Sequence, residues 1–206
     1  MNTCYLVGGG DFDGFFDKPD KNDFIIGADK GYQYLKNEGI KPDLIIGDFD
    51  SSKEPDFAQK IKLNPHKDMT DTYAGIEIGI KKGYKKFVIY GGLGGRLSHT
   101  LANIRIAQEF KNKGVDIILK SKKQRLFLID DKFFYKFKED KDFYVSIFSL
   151  KETSFGLSIK NLKYELDNYD LKMENHLGVS NETIGQDFEI SVKDGLLLVL
   201  FEDKTL

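Results

Sequence analysis

Along the first part of the chain one pattern recurs: a short apolar run without polar alternation, then a polar stretch with helical spacing. CYLVGGG (4–10), FIIGADKG (24–31), DLIIGDFD (43–50), KKFVIYGG (85–92) and VDIILKS (115–121) read as strands buried on both faces. Between them GYQYLKNEG (31–39), TDTYAGIEIGIKKG (70–83) and SHTLANIRIAQEFKNKG (98–114) read as helices, each closing in a glycine suited to a helix C-terminus. In the last of these Leu101, Ile104, Ala107 and Gln108 set one mostly apolar face. Strands interleaved with helices predict a mainly parallel, Rossmann-like sheet covered on both faces, with any ligand beyond the C-terminal ends of the strands.

From about Gln124 the rhythm changes. RLFLID, KFFYKF, DFYVSIFSL, FGLSIKNLKY, FEIS and GLLLVLFED are short, rich in aromatic and branched residues, and separated by turn-like stretches. They predict an all-β sandwich whose aromatic residues are core. The expected organisation is therefore an α/β domain over 1–123 and a β-sandwich over 124–206. Composition supports the division, since sixteen of the twenty glycines and all four prolines precede Gln124. So does charge: twenty basic and seventeen acidic side chains lie in 1–123, against eleven and sixteen after it.

The whole chain has 206 residues and a formal charge of −2, with 40% hydrophobic residues and no tryptophan. That balance excludes a disordered or collagen-like chain and argues against a broad electrostatic grip on nucleic acid. The Lys-rich stretch Lys120 to Lys123 reads as a solvated linker. No apolar run approaches the roughly 20 residues of a membrane span, and no basic, apolar leader opens the sequence. A single cysteine, Cys4, cannot form an intramolecular disulfide; it reads as core and favours a reducing, cytoplasmic location.

Two constellations carry candidate chemistry. Asp29, Asp48, Asp50 and Asp71 fall where strands should end or a helix begin. Gathered in one crevice they would bind a hard cation such as Mg²⁺, which shares itself with substrate phosphates. Within GDFDS (47–51), an extended strand would point Asp48 and Asp50 the same way. For any one aspartate, turn or cap chemistry is an equal explanation; for the set, metal binding is the better one. The second constellation is Gly91-Gly92-Leu93-Gly94-Gly95-Arg96 between a strand and a helix. Glycine backbone, a helix N-terminus and an arginine make a phosphate cradle, though neither a Walker A loop nor the dinucleotide fingerprint. The earlier run Gly8-Gly9-Gly10 also fails that fingerprint, with Asp13 where its last glycine should be. His99 stands apart from His66 and His176 and suits a positioning role better than that of a catalytic base.

In order along the chain, GDFDS (47–51), DMTDT (68–72), GGLGGRLSHTLANI (91–104) and LGVSNE (177–182) resemble the motifs of the thiamine pyrophosphokinase family. The resemblance implies transfer of the pyrophosphoryl group of ATP to the hydroxyl of thiamine, with Mg²⁺, in a homodimer whose active site lies between subunits. It assigns Asp48, Asp50 and Asp71 to the metal and, with Arg96, to catalysis. Asp29, Gly92, Gly94, Gly95, Arg96, Ser98 and His99 fall to the nucleotide, and Ser180 and Asn181 to thiamine. Ser98 departs from the pattern, since the family has an aspartate there, and it is placed to N-cap the following helix. Two rivals use the same residues: a metal-dependent hydrolase of nucleotides or diphosphates, and a non-catalytic thiamine or nucleotide sensor.

Overall fold

The computed structural model describes residues 2–49, 57, 59–64, 69–138 and 142–204. The chain divides into two compact units, Met1–Lys122 and Lys123–Leu206.

In the first unit β1 (Cys4–Val7), β2 (Phe24–Ala28), β3 (Leu44–Gly47), β4 (Lys60–Lys62), β5 (Lys86–Tyr90) and β6 (Asp116–Lys120) pair in parallel, in the order β6-β5-β1-β2-β3-β4. Helices α1 (Gly31–Asn37), α2 (Asp71–Lys81) and α3 (Leu97–Lys111) lie between β2 and β3, between β4 and β5, and between β5 and β6. The absence of alternation in β1 has a direct cause. Tyr5 and Val7 pack with Leu35 of α1 and with Val88 and Tyr90, whereas Leu6 meets α2 from the other side. Gly75 and Gly79 let α2 come close, because a Cβ there would stand 2.2 Å from Leu6 and 2.5 Å from Phe87. Both faces being covered, every residue of β1 is buried, and a side chain such as Leu6 contributes about 1.5–3 kcal/mol by its burial. Cys4 belongs to this core, and burial pushes its thiol up to about 12.

The predicted helices end as expected, with Gly39, Gly83 and Gly114 in the left-handed region at φ 71°, 92° and 73°. Their beginnings and faces bring two corrections. Thr70 caps α2 by accepting the Tyr73 N–H at 3.2 Å, but α3 has Arg96 at its N-cap with no side-chain cap bond. Ser98 therefore lies inside the first turn and does not cap the helix. The buried face of α3 is Asn103, Ala107 and Phe110, while Leu101 is 53% exposed. Phe110 and Ala107 seat the helix, and Asn103 turns toward the preceding loop. The strand β4 went unread because all three of its residues are exposed. Lys120 also differs from the solvated linker expected of it: its Nζ sits 2.6 Å from Asp17 Oδ1 with the side chain 12% exposed.

The second unit holds two antiparallel sheets. One pairs β12 (Asn181–Glu182), β9 (Phe143–Ser149), β14 (Leu197–Asp203) and β7 (Gln124–Ile129) in that order; the other pairs β11 (Leu166–Lys172), β10 (Thr153–Lys160), β13 (Phe188–Ser191) and β8 (Lys132–Tyr135). Alternate residues Phe143, Val145 and Ile147 of β9 and Leu197, Val199 and Phe201 of β14 join Leu157, Ile159, Phe188 and Ile190 in one core. Not every aromatic residue is core here, since Phe134, Phe155 and Tyr164 are exposed. The edge strand β11, LDNYDLK, escaped the sequence pattern because only Leu171 in it is buried.

Candidate active site

The chain leaves β1 toward β2 on one side and returns through β5 on the other, so the sheet order reverses between β1 and β5. Open α/β sheets bind ligands at such a reversal. A cleft of about 700 Å³ lies there. Its walls come from Gly8 to Asp11 after β1, from Asp29 and Lys30 after β2 with Tyr34 of α1, from Asp48 after β3, and from Met69 to Thr72 at the start of α2. The segment after β5 supplies Gly91, Gly92, Gly94, Gly95 and Arg96, and α3 adds His99 and Asn103.

Glycine is required where the segments after β1 and β5 touch. The Gly8 N–H donates to the Tyr90 carbonyl at 2.8 Å, continuing the β1–β5 ladder. A Cβ at Gly10 would stand 2.4 Å from the Gly91 carbonyl oxygen, and one at Gly91 would stand 2.6 Å from that of Gly8. Gly91, Gly94 and Gly95 also have positive φ, so the loop is closed to other residues by conformation as well as by space. Asn103 fastens the loop from α3 by donating its side-chain amide to the Gly92 carbonyl at 2.9 Å. With no side-chain cap on α3, its N-terminal amides add to the positive field that a phosphate would meet.

The acidic side of the cleft is formed by strand exits. Asp29 has φ 51° and its N–H donates to the Ile46 carbonyl at 2.8 Å, so its side chain leaves the sheet at the end of β2. Asp48 follows β3, and Asp71 stands in the first turn of α2. Asp50 lies outside the described residues. Before it, β3 ends at Gly47, and Phe49 is left-handed at φ 55° while 9% exposed. A bulky residue in that region is strained, and such strain concentrates at functional sites. Among the described residues no three acidic, histidine or cysteine side chains form a metal cluster. Asp29, Asp48 and Asp71 nonetheless offer only oxygen donors, which fits Mg²⁺, an ion that needs one or two carboxylates and completes its shell with water and phosphate.

Of the residues expected at the nucleotide, Asp29, Gly92, Gly94, Gly95, Arg96 and His99 line this cleft; Ser98 is exposed on the first turn of α3 and is not among the lining residues. Ser180 and Asn181 belong to the second unit. Ser180 is exposed with φ 57°, and its N–H donates to Ser146 Oγ at 3.0 Å. Asn181 is buried, its side chain occupied on both ends by Tyr164: Nδ2 donates to the Tyr164 carbonyl at 2.6 Å and Oδ1 accepts the Tyr164 N–H at 2.9 Å. Asn181 thus holds the segment carrying exposed Tyr164 against the Ser180 turn. Beside it Glu182 pairs with Lys163 and Lys204, whose hydrogen bonds hold its carboxyl below the usual range.

Sequence reasoning did not pick out Asp11, Lys30, Tyr34, Thr70 or Asn103 in the cleft. For the Gly8 to Gly10 run a signal existed: three glycines closing an apolar strand mark close backbone approach whether or not they complete a fingerprint. Asn103 lies within the stretch 91–104 that resembles the family's motif, but its own position carries no local signal, since a polar residue in a helix face reads as solvent-facing.

Two family models match the chain: the thiamin pyrophosphokinase catalytic domain over residues 17–119 and the thiamin pyrophosphokinase vitamin B1 binding domain over residues 135–197. A thiamine pyrophosphokinase of Bacillus subtilis (strain 168) is 28% identical over 213 residues, covering 97% of this chain and 98% of its own. Among solved structures, thiamine pyrophosphokinase from Bacillus subtilis superposes with a TM-score of 0.84 at 25% identity, covering 97% of this chain and 98% of its own. A thiamin pyrophosphokinase family protein from Enterococcus faecalis, 24% identical, shares the fold at a TM-score of 0.84 over 97% of this chain and 98% of its own.

Proposed function

Since the chain belongs to the thiamin pyrophosphokinase family, and is an enzyme that transfers the pyrophosphoryl group of ATP to the hydroxyl of thiamine, we propose that the cleft of its first unit is where ATP is held and cleaved. Thiamine diphosphate and AMP are the products. The observation that carries the reading is the convergence, at the reversal of the sheet, of a left-handed glycine loop with Arg96 and of the carboxylates Asp29, Asp48 and Asp71.

The oxygen of the thiamine alcohol attacks the β-phosphorus in line, the bond from that phosphorus to the bridging oxygen breaks, AMP leaves with that oxygen, and a carboxylate of the cluster accepts the alcohol proton. Such a transfer asks little covalent chemistry of the protein, because positioning and charge neutralisation supply most of the rate. The Arg96 guanidinium and the amides of Gly92 and Gly94, on the loop that Gly95 turns, hold phosphate oxygens and stabilise charge on the departing AMP. Asp48, Asp50 and Asp71 would hold Mg²⁺, which supplies charge neutralisation at the phosphates when bound. Asp29 closes the acidic wall, and His99 orients the phosphates from the first turn of α3. Ser98, a neutral hydroxyl in place of a family carboxylate, leaves the loop less negative. Ser180 contacts thiamine from the second unit of a partner subunit in a homodimer, with Asn181 setting the turn. The left-handed Ser180 supports that role, as strain at an exposed turn does. The buried thiol of Cys4 is compatible with the cytoplasm as the place of action, and no helix among the described residues is long and apolar enough to cross a membrane.

The test is product analysis with ATP and Mg²⁺, with and without thiamine. AMP and thiamine diphosphate should appear in equal amounts and only with thiamine. Phosphate release independent of thiamine would replace this reading with the hydrolase.

A further inference from the structure

Asp11 holds the loop on which the proposed chemistry depends. Its Oδ2 accepts the Gly95 N–H at 2.6 Å. A Cβ at Gly94 would stand 2.9 Å from Oδ2, and one at Gly95 would stand 3.2 Å from Oδ1, so both carboxylate oxygens lie close over the turn. That turn, at φ 78° and 62°, has no side chains of its own with which to fasten itself.

The aspartate is itself fixed on both sides. Before it, Gly10 passes the Gly91 carbonyl with no room for a Cβ, which would stand 2.4 Å from that oxygen. After it, Phe12 stacks on Tyr34 with ring centroids 5.0 Å apart and planes 4° from parallel. Asp13 then accepts the Lys122 N–H at 2.9 Å. Asp17 accepts the Tyr90 hydroxyl at 2.6 Å and pairs with Lys120, while Phe15 packs on the Tyr90 ring at 4.8 Å. Segment 11–17 is a strap pinned at the ends of β5 and β6, and it presents the carboxylate of Asp11 at a preset reach.

We propose that Asp11 is a positioning residue: as a hydrogen-bond acceptor it fixes the Gly94–Gly95 turn in the conformation that receives the phosphates of ATP. This rests on the reading that the glycine loop holds those phosphates. A preset turn spares the nucleotide the ordering of two glycines on binding, so the effect belongs to ATP affinity and not to the chemical step. An acceptor is what the geometry needs; the negative charge is not.

The test compares wild type, Asp11→Asn, which keeps an acceptor without the charge, and Asp11→Ala, which has neither. Hydrogen exchange of the segment 91–97 is followed in the unliganded enzymes, and steady-state rates are measured over a range of ATP concentrations with saturating thiamine and Mg²⁺. In Asp11→Ala the loop amides should exchange about tenfold faster and the KM for ATP should rise about tenfold, with kcat within about twofold. Asp11→Asn should stay within about twofold of wild type in both readings. Three results overturn the proposal: unchanged exchange and kinetics in Asp11→Ala, a loss of kcat in Asp11→Asn equal to that in Asp11→Ala, or a lower KM for ATP in either variant. The last would make Asp11 a competitor of phosphate for the Gly95 amide. Should Asp11→Ala fail to fold, Asp11→Ser, too short to reach the amide, gives the same readings. The exchange experiment contains no substrate, so it stands or falls separately from the reaction; a wild type that forms no AMP with thiamine would overturn the function and leave the hold on the loop intact.

Discussion

The Asn103 side-chain amide donates to the carbonyl oxygen of Gly92 at 2.9 Å, so α3 grips the loop from which it starts. Asn103 is 8% exposed, and its removal leaves a carbonyl without its buried partner. Asn103→Ala should cost about 1–3 kcal/mol in chemical denaturation. The KM for ATP should rise in the same variant, because the loop proposed to hold the phosphates loses its fastening. A stability loss with unchanged KM would confine Asn103 to the fold.

Asp71 separates structure from chemistry. It stands in the first turn of α2, where a carboxylate gains only about 0.3–1 kcal/mol from the helix dipole. Asp71→Asn should therefore melt within a few degrees of wild type, while turnover falls by about a hundredfold or more as charge neutralisation at the phosphates is lost. Chelation of divalent cations should stop wild-type turnover, and added Mg²⁺ should restore it. A wild-type rate in Asp71→Asn would remove this residue from the metal.

Two glycines of one unit should respond very differently to alanine. At Gly31 a Cβ would stand 1.8 Å from the Val7 carbonyl oxygen, so α1 could not dock on β1 without moving. At Gly39, φ 71°, nothing lies within 4 Å, and the cost is only the left-handed conformation, about 1–2 kcal/mol. Gly31→Ala should lose clearly more stability than Gly39→Ala in urea titrations. Equal losses would mean that the contact between α1 and β1 relaxes freely.

Acid should act on the second unit through Glu182. Hydrogen bonds from Lys163 and then Lys204 hold its carboxyl below the ordinary 4.5, and Lys204 also faces Asp142. A depressed carboxylate contributes stability that is fully present above about pH 4.5 and is lost as the pH falls through the lowered value. The difference in Tm between wild type and Glu182→Gln should accordingly be constant at neutral pH and shrink below about 4.5. A difference that persists unchanged at pH 3 would count against the pairing.

Much of this molecule was legible one residue at a time. The unalternating strands β1, β2, β3 and β5 and the glycines that end α1, α2 and α3 all read directly, because burial on both faces and left-handed closure each leave a local mark; β6 reads from its apolar run as well, although only Ile117 and Leu119 in it are fully buried. The edge strands β4 and β11 left no such mark, since an edge strand buries little. On α3 the apolar face expected from the sequence holds at Ala107 but not at Leu101, which is exposed, whereas the polar Asn103 is buried because a loop carbonyl waits for it.

The sequence by itself determined the succession of buried strands and helices, the glycine loop and the aspartates Asp29, Asp48 and Asp71 as strand-end or helix-start residues, since these depend on backbone conformation and on spacing along the chain. Only the tertiary structure decided that Asp11 lies against Gly95, that Gly10 must be glycine to pass Gly91, and that Asn181 spends its side chain on Tyr164. Those are relations between segments far apart in sequence, set by how the sheet stacks its strands, and no local pattern of polarity encodes which loop a side chain will meet.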